Sequence, residues 1–117
     1  MKKIIALLLA AVMVMCLFAG CASSGGSKVI KIGVFEPQSG DNGAGGKQEV
    51  LGIQYANSVK PTVTIGGEEY KIELDIQDNQ SSTDKAVSAA QQLVADKVSV
   101  VLGSYGSGVS LSAGTYF

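Results

Sequence analysis

The sequence contains no histidine, no arginine and no tryptophan, and it has only two cysteines. The absence of histidine excludes common zinc sites and general acid–base catalysis by imidazole. Because arginine is absent and the lysines form no block, the chain lacks the electrostatic footprint of a nucleic-acid-binding protein. We therefore expect no nucleic-acid partner and no imidazole-based catalysis.

The amino terminus has the pattern of an export signal. Lys2 and Lys3 form a short positive region, and residues 4–18 are an almost unbroken apolar run. A run of this length is too short for a typical membrane-spanning helix and is typical of a signal peptide. We predict that residues 1–20 are removed and that the mature chain folds outside the cytoplasm.

Cys21 is the predicted attachment point of a lipid. Small residues, Ala19 and Gly20, precede it, as a lipoprotein signal peptidase requires, although Phe18 stands where leucine is more usual. Cys16 is a poor alternative because methionine and valine precede it. The interpretation is a lipoprotein anchored to the cell membrane through Cys21; the alternative is a plain signal peptide followed by an incidental cysteine.

Removal of the leader changes the composition of the chain. Seven lysines and ten acidic residues remain, which gives a net charge of −3. With Cys16 cut away and Cys21 acylated, neither a disulfide nor a thiolate metal site is available, and we expect no cofactor. Residues 21–28 are small and polar and predict a flexible linker. Residues 29–117 remain for one folded unit.

Apolar runs and helical periodicities alternate along residues 29–117, which predicts an α/β fold with a mainly parallel sheet and flanking helices. Tyr55 and Tyr70 fall on apolar faces and are predicted to belong to the core. Ser81 or Ser82 is suited to cap the second helix, with Asp84 near its positive end. The predicted elements are a strand at 29–35, a helix at 47–59, a hairpin of strands 62–65 and 68–77, a helix after Ser82, a strand at 98–102, and a helix from 109.

Two loops follow predicted parallel strands, where α/β proteins bind ligands: residues 36–46 and residues 103–108. The second loop combines glycines with the hydroxyls of Ser104, Ser107 and Ser110, and a helix follows it. This arrangement suits a carboxylate; the alternative is that serine and glycine only form a turn and a helix cap. Tyr105 stands at the mouth of the predicted crevice and is a candidate ligand contact.

Other chemistries find no support in the sequence. Residues 43–47 superficially resemble a phosphate-binding loop, but Asp41 replaces its first glycine and Gln48 replaces its metal-binding serine or threonine. Asp75 and Asp78 point to different faces of a strand, without a nucleophile beside them. We interpret these carboxylates as solvated or capping groups and do not expect an enzyme.

The mature chain from Ile30 onward resembles the amino terminus of the branched-chain amino-acid-binding proteins, also called leucine-binding-type or type I periplasmic binding proteins. No single motif decides this, but the set is specific in order and spacing. Its carriers are Ile32-Gly33-Val34, Pro37, Ser39-Gly40, Gly46-Lys47-Gln48-Glu49, Leu51-Gly52-Ile53, Asp78-Asn79-Gln80, Asp84-Lys85-Ala86-Val87, Val101-Leu102-Gly103-Ser104 and Ser107.

The resemblance implies a protein of two α/β lobes that closes on an amino acid and delivers it to an ABC permease. It implies that Ser107 holds the ligand's carboxylate with nearby backbone N–H groups, beside Tyr105, Gly106 and Ser104. Gly45 departs from the family, which often has an aromatic residue there. We expect residues 29–117 to be the truncated N-terminal part of the first lobe. Urea, short amides or aromatic acids are alternative ligands, and the ligand-sensing lobe of a membrane receptor is an alternative role.

Overall fold

The computed structural model describes residues 28–117. The predicted signal peptide, the lipidation site Cys21 and most of the predicted linker therefore lie outside the described residues. Within residues 28–117, every helix is too short or too polar to cross a bilayer.

The described residues form the predicted α/β architecture, a mainly parallel sheet with flanking helices. Apart from one β-hairpin, strands and helices alternate along the described residues. The elements are β1 (Val29–Glu36), α1 (Gly43–Val59), β2 (Thr62–Ile65), β3 (Glu68–Asp78), α2 (Thr83–Ala95), β4 (Val100–Leu102), α3 (Ser107–Ala113) and a 3-10 helix (Gly114–Tyr116).

The four strands of the described part form one sheet in the order β2-β3-β1-β4. β1 is parallel to both β3 and β4, and β2 pairs antiparallel to β3 through the Gly66-Gly67 turn. In the β1–β3 register Glu36 lies opposite Asp78, and in the β1–β4 register Val34 lies opposite Leu102. The carboxyl ends of β1, β3 and β4 therefore lie at one edge of the sheet, and the loops that follow them are neighbours.

The main core lies between the sheet and helices α2 and α3. Phe35 and Leu93 are almost completely buried there, together with small residues of the two helices. Gly33 leaves room for this packing, because a Cβ at this position would lie 3.2 Å from the side chains of Leu93, Val98 and Val101. Ala86, Ala90 and Leu93 form a buried stripe along α2, whereas Val94, which the same helical spacing assigns to that stripe, is 49% exposed.

Helix α1 covers the opposite face of the sheet less completely. Val50 is buried, but Leu51, Tyr55 and Val59 form an exposed ridge along the outer side of the helix. The prediction that Tyr55 belongs to the core is wrong, since 72% of its surface is exposed. Its four-residue spacing from Leu51 and Val59 places it on the outer ridge. Tyr70 is half-buried, with the Lys28 ammonium 5.6 Å from the centre of its ring.

Three predicted boundaries shift by two residues or more in the structure. Helix α1 begins at Gly43, four residues before the predicted start at Lys47, because the Gly46 N–H already donates to the Asn42 carbonyl, 3.1 Å away. The fourth strand is confined to Val100–Leu102, and α3 begins at Ser107, two residues early. Ser82 caps α2 by accepting a hydrogen bond from the Lys85 N–H, as predicted.

Candidate functional site

Three loops meet at the carboxyl edge of the sheet. We call them the first loop (residues 37–42, after β1), the second loop (residues 79–82, after β3) and the third loop (residues 103–106, after β4). The sequence predicts the first and third loops as ligand-binding segments. Side chains of the second loop form hydrogen bonds with both the first loop and the third loop.

Asp78, at the end of β3, fixes the first loop. Its carboxylate accepts hydrogen bonds from the Gln38 N–H and the Ser39 hydroxyl, each at 2.7 Å, and from the Gln80 N–H at 2.8 Å. Burial acts to raise the pKa of Asp78, but these hydrogen bonds outweigh it and lower the pKa below its ordinary value. The prediction that this carboxylate serves only solvation or capping is therefore too weak: it anchors a loop of the site.

The Asn79 side chain joins the second loop to the third. Asn79 is fully buried, and its amide NH₂ donates to the Phe35 carbonyl at 3.2 Å and to the Ser104 hydroxyl oxygen at 2.9 Å. Its side-chain oxygen accepts from the Ser81 N–H at 3.1 Å. One side chain thus holds the end of β1 and two loops in fixed positions.

Glu36, the last residue of β1, reaches the third loop directly. Only 4% of its surface is exposed, and its carboxylate accepts the Tyr105 N–H at 2.8 Å. Burial raises the pKa of Glu36 from 4.5 to about 7; the Tyr105 N–H opposes the shift, and repulsion by Glu49 on α1 adds to it. The folded protein holds this proton more tightly than an unfolded chain does, so ionisation between pH 4.5 and about 7 opposes folding.

The aromatic candidate Tyr105 lies against the first turn of α1. A Cβ at Gly45 would lie 2.8 Å from the Tyr105 ring, so the ring rests where a side chain at position 45 would stand. Tyr105 as a whole residue is nevertheless 54% exposed in the described part of the chain. Tyr105 therefore packs against the first turn of α1 and keeps the rest of its surface exposed; its role as a ligand contact stays a prediction.

Among the remaining predicted site residues, some polar groups are already hydrogen-bonded within the protein and others are exposed. The Ser104 hydroxyl accepts from Asn79, and the Ser104 N–H donates to the Ser110 hydroxyl at 3.3 Å. Since Tyr105 donates its N–H to Glu36, the backbone N–H groups of Gly106 and Ser107 are the ones left to face a bound anion. Ser107 is exposed at the first position of α3. These contacts make Gly106 and Ser107 the residues to test first for carboxylate binding.

The helix that follows the third loop is short. α3 has seven residues, and Gly106 at its N-cap supplies no side-chain cap. A helix of this length adds little macrodipole, so individual N–H and hydroxyl groups would determine the affinity for an anion. In residues 28–117, histidine, cysteine, aspartate and glutamate form no group of three that could hold a metal ion.

Comparison with known proteins agrees with this architecture. Residues 29–117 match the family model described as periplasmic binding protein. The chain belongs to the periplasmic binding protein family, in its type I form. Proteins of this family are extracytoplasmic solute-binding proteins. The comparison with curated proteins gave no match.

Solved structures of type I periplasmic binding proteins resemble the described part of the chain. A leucine-binding protein from Thermotoga maritima is 34% identical with a TM-score of 0.65; the match covers 74% of this chain and 24% of that one. The branched-chain amino acid transporter substrate-binding protein of Streptococcus pneumoniae, solved with isoleucine, is 34% identical with a TM-score of 0.65, over 76% and 26% of the two chains.

A third relative binds a different solute. A solute-binding protein of an ABC transporter from Rhodopseudomonas palustris, solved with 3,4-dihydroxybenzoic acid, is 32% identical with a TM-score of 0.60. That match covers 73% of this chain and 23% of the relative. The chain thus spans about a quarter of the length of these relatives.

Sequence reasoning missed two residues that organise the site. The sequence pattern places Glu36 only at the start of a loop and Asn79 only within a family motif. A signal was present for Glu36, since an acidic residue directly after the apolar run of β1 must be buried at the sheet edge or turn away from it. For Asn79 the local pattern holds no such signal, because its partners Phe35 and Ser104 are 44 and 25 residues away.

Proposed function

We propose that the chain is the N-terminal part of the first lobe of a lipid-anchored solute-binding protein that captures an amino acid for an ABC importer. Branched-chain amino acids are the first candidates. Ser107 and the Gly106 N–H would hold the ligand's carboxylate, with Tyr105 and Ser104 beside it. Cys21 would carry the lipid that keeps the protein at the outer face of the cell membrane.

The observation that carries this proposal is the geometry of the third loop. The backbone N–H groups of Ser104 and Tyr105 donate to Ser110 and Glu36, whereas Ser107 is exposed at the same edge of the sheet as the other two loops. A hydroxyl and two backbone N–H groups on neighbouring residues suit a carboxylate, which accepts several hydrogen bonds. Relatives whose structures are described as leucine-binding or isoleucine-bound support an aliphatic amino acid.

The test is calorimetry of the full-length gene product with L-leucine, L-isoleucine and L-valine. We expect binding of one of them, and we expect Ser107→Ala to weaken it by about 1 to 3 kcal/mol because a hydrogen bond to a charged carboxylate is lost. Ser112→Ala is the matched control, since its hydroxyl bonds within α3 to the Val109 carbonyl at 2.9 Å. Equal effects of the two substitutions would contradict the assignment of Ser107.

Aromatic carboxylates are a second candidate class. Two solute-binding proteins from Rhodopseudomonas palustris, 32% and 26% identical to this chain, were solved with 3,4-dihydroxybenzoic acid and benzoate. The open face of Tyr105 could stack on such a ring. Benzoate therefore belongs in the same titration: binding of benzoate without binding of any aliphatic amino acid would select this class. Absence of binding to either class would reject the carboxylate proposal.

The anchor has its own test. Cys21→Ala should abolish incorporation of a labelled fatty acid and release the protein from the membrane fraction, while Cys16→Ala should change neither. Retention of the label in Cys21→Ala would contradict lipidation at this position.

A further inference from the structure

Glu36 is unusual among the acidic residues of the described chain because it is buried yet turned toward the candidate site. Its carboxylate accepts the Tyr105 N–H at 2.8 Å, across a separation of 69 residues. The third loop is pressed against the same carboxylate: Gly103 has φ +124°, and a Cβ there would lie 2.7 Å from Glu36 Oε1. Both ends of the interaction are therefore fixed by packing.

We propose that Glu36 is a positioning residue that holds the third loop in its ligand-binding conformation through the Tyr105 N–H and relaxes that loop when it takes up a proton. Because the Tyr105 N–H donates to Glu36, it is not available to a ligand. The same hydrogen bond fixes the positions of the next two backbone N–H groups of the chain. It also fixes the backbone of Tyr105, whose ring packs on Gly45. The proposal deepens the proposed function, and only its last test rests on that function.

The charged surroundings allow this response near neutral pH. Glu49 on α1 is the charged group that faces Glu36, and it acts to keep the proton on Glu36. Asp78, opposite Glu36 on β3, turns its carboxylate to Gln38 and Ser39. The segment from Gly103 to Phe117 contains no charged side chain. None of the groups that shift the pKa of Glu36 is a cation, and protonation weakens a hydrogen bond that ionisation makes strong.

The first test needs no ligand. The full-length gene product is labelled with ¹⁵N-tyrosine, and the Tyr105 amide signal is assigned by its loss in Tyr105→Phe. We expect this signal to shift with pH around a midpoint near 7, to lose the shift in Glu36→Gln, and to show a lower midpoint in Glu49→Gln. Amide exchange at Tyr105 should be about tenfold faster or more in Glu36→Ala but close to wild type in Glu36→Gln, whose amide oxygen still accepts.

Each outcome of this test decides the proposal. A Tyr105 signal that does not move between pH 5.5 and 8.5, or an exchange rate unchanged in Glu36→Ala, overturns it. If Glu36→Ala fails to fold, which its other tyrosine signals would reveal, the pH response of Glu36→Gln still decides.

The second test uses L-leucine and benzoate as probes in calorimetry. Glu36→Ala should weaken binding of whichever probe binds by about tenfold, and Glu36→Gln should weaken it less and flatten its pH dependence around pH 7. If wild type binds neither probe, the proposed function fails while the NMR result on Glu36 stands. Equal affinity in wild type and Glu36→Ala would overturn the role of Glu36 in positioning the loop for a ligand.

Discussion

Replacement of Asn79 by alanine tests whether the loops of the site depend on one buried amide. The substitution removes three hydrogen bonds, to the Phe35 carbonyl, the Ser104 hydroxyl and the Ser81 N–H. At about 0.5 to 1.5 kcal/mol for each bond, we expect the free energy of unfolding to fall by about 1.5 to 4.5 kcal/mol. The upper part of this range applies if water cannot reach the Phe35 carbonyl, because a buried carbonyl left without a partner is costly.

The measurement is urea denaturation of the full-length gene product, followed by far-UV circular dichroism. Asn42→Ala is the matched control: Asn42 lies in the first loop of the same site, but its side chain does not cap α1. We expect this control to change the free energy of unfolding by less than about 0.5 kcal/mol. Equal losses in Asn79→Ala and Asn42→Ala would refute the claim that Asn79 joins the loops.

Two further predictions concern the first loop and the first turn of α1. Gly45→Ala should displace the Tyr105 ring, since its Cβ would lie 2.8 Å from that ring, and Tyr105→Leu should relieve the clash; a double-mutant cycle in urea denaturation without coupling would contradict the contact. The lowered pKa of Asp78 means that its stabilising contribution is present above pH 3.8 and is lost as pH falls further. Asp78→Asn should therefore cost about 1 kcal/mol at pH 7, after allowance for partial exposure, and progressively less as pH falls below 3.8; a pH-independent cost would argue against the charged hydrogen bonds.

The fold could be predicted from sequence because its signals are local. The apolar run of β1, the alternation in β3 and the buried stripe of α2 each depend on neighbouring residues, and the expected α/β order with a mainly parallel sheet follows from their sequence. The family resemblance is confirmed by the match over residues 29–117. The exposed position of Tyr55 could not be predicted, because periodicity places an apolar residue on a helix face without showing what covers that face.

The position of the candidate site could be predicted from the sequence, but the hydrogen bonds within the site could not. Parallel strands bring their following loops to one edge of the sheet, so residues 103–107 could be named from the sequence. Which N–H groups remain for a ligand depends on Glu36 and Ser110, whose contacts only the folded backbone determines. The assignments of Ser107, Tyr105, Gly106 and Ser104 as ligand contacts stay predictions.

The hydrogen bonds that join the three loops also bear on the order of folding. They connect residues that are 25 to 69 positions apart, from Asn79–Ser104 to Glu36–Tyr105. Each of them needs β1 to have paired with β3, with β4 or with both, and closing such long segments is entropically slow. The loop cluster is therefore expected to form after the folding transition state. Substitutions within it should accelerate unfolding while leaving the rate of folding almost unchanged.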